Sequence, residues 1–252
     1  MRFILKLAGK NIEIFSLYDF AADYCKDFIS SGTPDISVEI TQEDIEFERE
    51  RSRREDLKQG VQIRNFTDPY LETLAVYRKI ADRMLDFDTL LFHGSAVAVD
   101  NSCYLFTAPS GTGKSTHTRL WKKLLGDRAV IVNDDKPLIS VLKNDIIVHG
   151  TPWNGKHRLG NDISVPLKAV CVLQRAEENR IKKVAPEEVY DTLIQQVYRP
   201  YDPKRLAKTL SLTDALAERT ELYRLGCNMD ISAAQLSYSA MKGQKKGQEN
   251  EA

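Results

Sequence analysis

The chain has 252 residues, enough for one large α/β domain or a core with a small appendage. Lysine plus arginine and aspartate plus glutamate number 36 each, so no net field draws in nucleic acid or an anionic membrane. No apolar run reaches transmembrane length, the N-terminus lacks a signal-peptide pattern, and Cys25, Cys103, Cys171 and Cys227 lack metal-type spacing, which together predict a reduced cytoplasmic protein.

Residues 2–7 and 11–15 read as two strands about the Gly9-Lys10 turn. A helix is expected over about 18–29. Ile36, Val38 and Ile40 alternate with polar residues and predict a strand. Residues 42–56 interleave acids and bases, the pattern of a solvated, ion-paired helix or loop. Asp68-Pro69 starts a helix running to about residue 85, with Leu71, Leu74, Ile80 and Met84 on one face. Residues 89–99 read as β structure broken near His93-Gly94.

Next comes Leu105-Phe106-Thr107-Ala108-Pro109-Ser110-Gly111-Thr112-Gly113-Lys114-Ser115-Thr116. An apolar strand leads in, and an amphipathic helix over 115–125 leads out. The glycines allow a tight turn whose N–H groups converge at the positive end of that helix. This is a phosphate-binding loop, formed by Ser110, Gly111, Thr112, Gly113, Lys114, Ser115 and Thr116. Lys114 adds a charge for the β/γ-phosphates, and the Ser115 hydroxyl is placed for Mg²⁺. Ala108 stands where the general pattern has glycine, which negative φ tolerates.

Further strands are expected at 129–132, 138–142, 145–149 and 168–173. A Gly- and Pro-bearing loop spans about 150–166, and a polar segment covers 175–183. Helices follow over 186–197 and 203–218, then a strand over 221–227 and a helix over 231–241. The polar residues 242–252 read as a disordered tail. The chain thus divides into an N-terminal accessory α+β region (1–88), a core (89–241) and the tail.

The 129–132 strand delivers Asp134 and Asp135 to the sheet edge where the loop lies. One carboxylate can bind Mg²⁺ and the other accept a proton from an attacking hydroxyl. Asp134 is favoured as base, and Asp135 with Ser115 as metal ligand. An Asn-Asp-Asp-Lys turn between strands is the plain alternative. His93 reads either as a core histidine or as a group that tunes an aspartate or holds a metal. Within Gly150–Gly160, Lys156, His157 and Arg158 form a basic turn or a cationic lid, with Arg158 the choice for phosphate contact. Trp153 stacks on a base or anchors the loop. Arg175 is a further strand-end candidate, and His117 and His149 have no readable partner.

The run from His93 through Asp135 resembles the catalytic core of HPr kinase/phosphorylase: His-Gly upstream, Ser110-Gly111-Thr112-Gly113-Lys114-Ser115, then a strand ending in Asp134-Asp135. His93-Gly94-Ser95-Ala96 and Ser110–Lys114 are also similar to elements of ATP-type phosphoenolpyruvate carboxykinases, whose carboxylate-binding arginine motif has no counterpart here. The resemblance covers about 89–175 and implies an α/β P-loop kinase core, with His93 as partner of the catalytic aspartate. Residues 1–88 do not resemble the N-terminal domain of that kinase, so HPr itself is not implied as substrate. The expected activity is ATP- and Mg²⁺-dependent phosphoryl transfer to a hydroxyl of a protein, peptide or small molecule. The alternatives are a nucleotide-binding switch without an acceptor and a reversible kinase/phosphorylase. A homo-oligomer is left open.

Overall fold

The computed structural model describes residues 1–155 and 158–243. The architecture is mixed α/β with a curled sheet.

The chain opens with an antiparallel pair, β1 (Arg2–Leu7) and β2 (Lys10–Phe15). The turn between them places Ala8 and Gly9 at positive φ. β3 (Ile36–Glu39) adds to β2 in parallel. The helix expected over 18–29 is shorter: α1 spans Phe20–Tyr24, and a 3₁₀ turn covers Lys26–Phe28. Tertiary bonding stops it, because Ile29 bridges to Leu5 and the Ser30 N–H donates to the Ile4 carbonyl.

The charged stretch forms α2 (Gln42–Gln59), ended by Gly60 at φ +66. It is not simply a solvated helix. Glu48 and Asp56 are buried. Glu48 takes Arg78 of α3 (Asp68–Met84) at 2.6 Å, and Asp56 takes Arg64 at 2.6 Å. The ion pairs expected within the helix are present at Glu46–Arg49 and Glu50–Arg53, while the buried carboxylates clamp α2 to α3 and to the loop that follows α2. α3 buries Leu71, Ala75, Val76, Ile80 and Met84 against the three-stranded sheet. Leu138 and Trp153, from the other part of the chain, complete that same core.

The large sheet orders its main strands as β4 (Thr89–Leu91), β8 (Leu138–Val141), β9 (Ile146–His149), β10 (Ser164–Arg175), β6 (Ser102–Thr107), β5 (Ser95–Val99) and β7 (Ala129–Asn133). β10 is longer than expected and bends the sheet. Residues 164–166 pair antiparallel with β9, whereas its later residues run parallel with β6 and with β12 (Glu221–Cys227). β11 (Arg180–Lys183) pairs with β12 and lies in the segment read as merely polar.

Strand alternation sorts side chains into two layers. Val97, Val99, Tyr104 and Phe106 face α4 (Lys114–Leu125) and α7 (Ile231–Met241). Ala96, Ala98, Cys103 and Leu105 face α5 (Pro186–Gln196) and α6 (Pro203–Arg219). Cys103 and Cys171 are buried, free thiols within these layers. No helix among the described residues is long and apolar enough to cross a membrane.

Two histidines sit inside. His117 contacts Ser237 at 3.0 Å and packs edge-on to Phe106. His149 lies between the hydroxyls of Ser140 (2.9 Å) and Ser164 (2.7 Å). Burial pushes both imidazoles down to about 4. The unfolded chain takes up these protons near pH 6.5, before the folded chain does, so stability falls as pH drops from about 6.5 to 4. Each shift corresponds to about 3 kcal/mol over that window. Urea unfolding at pH 7 and pH 5 should show the loss, and a His117→Gln/His149→Gln chain should lose less. Equal losses would remove these histidines as the cause.

Candidate functional site

β6 ends at Thr107, and the chain turns through residues 108–113 into α4. Gly111 has φ +77 and Gly113 φ +118, conformations that side chains resist. A Cβ on either would meet open space, so backbone geometry, not crowding, demands glycine there. Ala108 is fully buried and is not among the positive-φ residues, consistent with its replacing glycine. Lys114 is 7% exposed, and its ammonium donates to the Ala108 carbonyl at 3.0 Å, folding back over the loop. Burial pulls its pKa below the usual lysine range, against the opposing pull of Asp135 and Asp134. Arg175, at the end of neighbouring β10, donates to the Gly111 carbonyl at 2.5 Å. The strand-end candidate therefore does meet the loop.

Asp134 and Asp135 leave β7 in different environments. Asp134 is 4% exposed. Its Oδ1 accepts from the Ser95 hydroxyl at 2.9 Å, and Ser95 in turn meets Thr118 of α4 at 2.8 Å. The Ser115 hydroxyl reaches the Asp134 carbonyl at 3.4 Å, which puts Ser115 beside this residue. Asp135 has a side chain 31% exposed, with Oδ1 3.3 Å from His93 Nε2 and Oδ2 3.9 Å from the Lys136 ammonium. Burial works to raise the Asp135 pKa. The His93 hydrogen bond and the charges of Lys136, His93 and Lys114 outweigh it and hold the carboxyl below its usual range.

Asn133 sets the turn that separates the pair. Its side-chain oxygen accepts from the N–H groups of Asp135 (2.9 Å) and Lys136 (2.7 Å), and its amide donates to Thr151. His93 is placed by backbone bonds: its N–H donates to the Gln196 carbonyl at 2.7 Å, and its carbonyl accepts from the Thr107 hydroxyl. The Gly94 N–H donates to the Asp135 carbonyl at 2.9 Å. His93 is thus held beside Asp135 from both sides of the strand break. Sequence reasoning missed Ser95, Thr118 and Gln196 as parts of this arrangement. Ser95 alone carried a signal, as the third residue of the His93–Ala96 element.

The loop expected over 150–166 is shorter, since residues 164–166 belong to β10, and it meets the aspartates at Gly155. A Cβ on Gly150 would stand 1.8 Å from the Asn161 carbonyl oxygen, and one on Gly155 would stand 3.4 Å from Asp134 Oδ2. Trp153 is 3% exposed, stacks on Tyr77 at 4.0 Å and donates to the Thr73 carbonyl. It anchors the loop and is not open to a base. Arg158 departs from its expected place. Its guanidinium lies over the Tyr24 ring at 4.4 Å and donates to the Tyr24 carbonyl, held by the N-terminal region. No hydrogen bond or ion pair joins it to the glycine loop, His93 or the aspartates among the described residues. Lys156, His157 and tail residues 244–252 lie outside the described residues. Among the described residues no three His, Cys, Asp or Glu side chains cluster in a way that could hold a metal on their own.

No protein-family model matches this chain, and no curated protein matches it. Among solved structures it is similar to the HPr(Ser) kinase/phosphatase from Coxiella burnetii, at 9% identity and a TM-score of 0.33. The match covers 61% of this chain and 99% of that one. The likeness is weak, and the roles of residues rest on the geometry above.

Proposed function

We propose that this chain is a phosphotransferase of P-loop type, using ATP and Mg²⁺ to phosphorylate a hydroxyl. One observation carries the reading: a glycine loop with Lys114 and Ser115 stands beside two aspartates in separate environments, one of them paired with His93. A structural turn has no need of such a division.

The donor set fits a polyphosphate with its metal. Gly111 and Gly113 leave open space where side chains would stand. Among the described residues the Lys114 ammonium is hydrogen-bonded only to a loop carbonyl, which a phosphate oxygen would replace as its partner. Ser115 and Asp134 would hold Mg²⁺, with the rest of its oxygen shell coming from nucleotide and water. Bound Mg²⁺ neutralises charge on the phosphates.

The aspartate roles are exchanged relative to the sequence expectation. Asp135 is the better base because it is the more exposed carboxylate and bonds to His93. Asp134 is buried, fixed by Ser95 and next to Ser115, which suits a metal ligand. In the reaction Asp135 takes the proton of the acceptor hydroxyl as its oxygen bonds to the γ-phosphorus. The bond from that phosphorus to the bridging oxygen breaks, and ADP and a phosphate monoester leave.

Lys114→Ala is expected to weaken Mg·ATP binding by about 10- to 100-fold, the worth of one charge-assisted contact. Calorimetric titration of both chains measures it, and incubation of the native chain with γ-labelled ATP and acceptor pools measures transfer. Unaltered binding would remove the loop from the nucleotide site. Binding without any labelled acceptor would favour a nucleotide switch.

A further inference from the structure

A cleft of about 540 Å³ opens from His93 and Lys136 into the space between α2, α3 and the segment joining α5 to α6. That volume lies in the range of small-molecule sites. Its walls combine aromatic rings, Phe66 and Tyr70 among them, with cations. Most of the cations are already paired: Arg78 with Asp44 and Glu48, Arg64 with buried Asp56, and Arg51 with Glu48. Arg199 differs. It is exposed, borders the cleft, and has no hydrogen-bond or ion-pair partner among the described residues. Lys136 also borders the cleft and is only loosely paired, 3.9 Å from Asp135.

A further feature of the wall is Gln196, which lines the same cleft and is 8% exposed. Its amide oxygen is buried without a hydrogen-bond partner, which costs about 1–3 kcal/mol and leaves this part of the wall free to rearrange around a ligand. Gln196 also supplies the carbonyl that positions His93. An unpaired guanidinium and aromatic faces thus line a cleft that ends at His93, the partner of Asp135.

We propose that this cleft is the acceptor site and that it takes a small hydroxylated organic anion with an aromatic or other flat apolar part. Its carboxylate or phosphate pairs with Arg199, its ring lies among Phe66 and Tyr70, and its hydroxyl reaches Asp135 past His93. The inference rests on the phosphotransfer reading above.

The full chain is tested with hydroxy-carboxylic acids, each paired with its methyl ester, with and without a phenyl ring. Ligand-observed NMR without nucleotide reads binding, and phosphate-ester formation with Mg·ATP reads transfer. The ring-bearing acids should bind about tenfold or more tightly than their esters, one charge-assisted contact. Arg199→Gln should abolish most of that preference, Arg199→Lys should restore part of it, and ester binding reports that the variants remain folded. Equal binding of acid and ester, or a preference that survives Arg199→Gln, overturns the proposal. So does absence of binding across the panel, or label from ATP landing only on protein or peptide. Acids that bind through Arg199 yet receive no phosphate leave the cleft standing and sink the phosphotransfer reading.

Discussion

Asp135→Asn is expected to slow phosphoryl transfer by about 10²- to 10⁴-fold, the usual worth of a positioned general base. Mg·ATP affinity should hold within about threefold, since on this reading the metal contact belongs to Asp134 and Ser115. His93→Ala should repeat the rate loss in milder form, because it removes the 3.3 Å partner that holds the Asp135 carboxylate. Asp134→Asn should instead weaken Mg²⁺-dependent binding. Single-turnover rates and titrations of nucleotide with and without Mg²⁺ separate these effects. The reverse outcome, a pure rate loss at Asp134 and a binding loss at Asp135, would restore the assignment first expected from the sequence.

Trp153→Ala is expected to destabilise the protein by about 3–5 kcal/mol, the range for emptying a buried indole site. The ring is 3% exposed and lies flat on Tyr77, with an interplanar angle of 3°. It belongs to the N-terminal core although its backbone belongs to the loop beside Asp134. Trp153→Phe keeps most of the stacking and gives up the hydrogen bond to the Thr73 carbonyl, a loss of about 1 kcal/mol. Urea unfolding measures both. A cost under about 1 kcal/mol for the alanine variant would mean that this contact does not hold the two parts together.

The strand-to-helix glycine loop was legible in sequence because its constraints are local. An apolar run, turn glycines and an amphipathic helix follow each other without a gap over 104–125. The positions of His93 and the aspartates were legible from strand ends for the same reason. Their division of labour was not. It depends on Ser95 reaching Asp134 across 39 positions and on Asn133 turning the backbone between the carboxylates. Arg158 misled because a cation near a glycine-rich loop suggests phosphate, whereas Tyr24 is 134 residues away in sequence. β11 escaped notice because Arg180-Ile181-Lys182-Lys183 is an edge strand with three charged side chains, so its hydrophobic pattern is silent. The cleft was invisible for a related reason. Its walls come from residues 47 to 201, and nothing in any one stretch marks them as neighbours.

Leu138 and Trp153 complete the N-terminal core from outside it, and this limits how such a chain can be recombined. A cut at residue 88 would strip two large apolar side chains of their cover and leave the first fragment with a hole in its interior. Both pieces would then present sticky surface. A graft of a different front half would succeed only if it brought a cavity shaped for that leucine and that indole. Any change in acceptor preference made by exchanging the front half is therefore tied to the fit at these two positions.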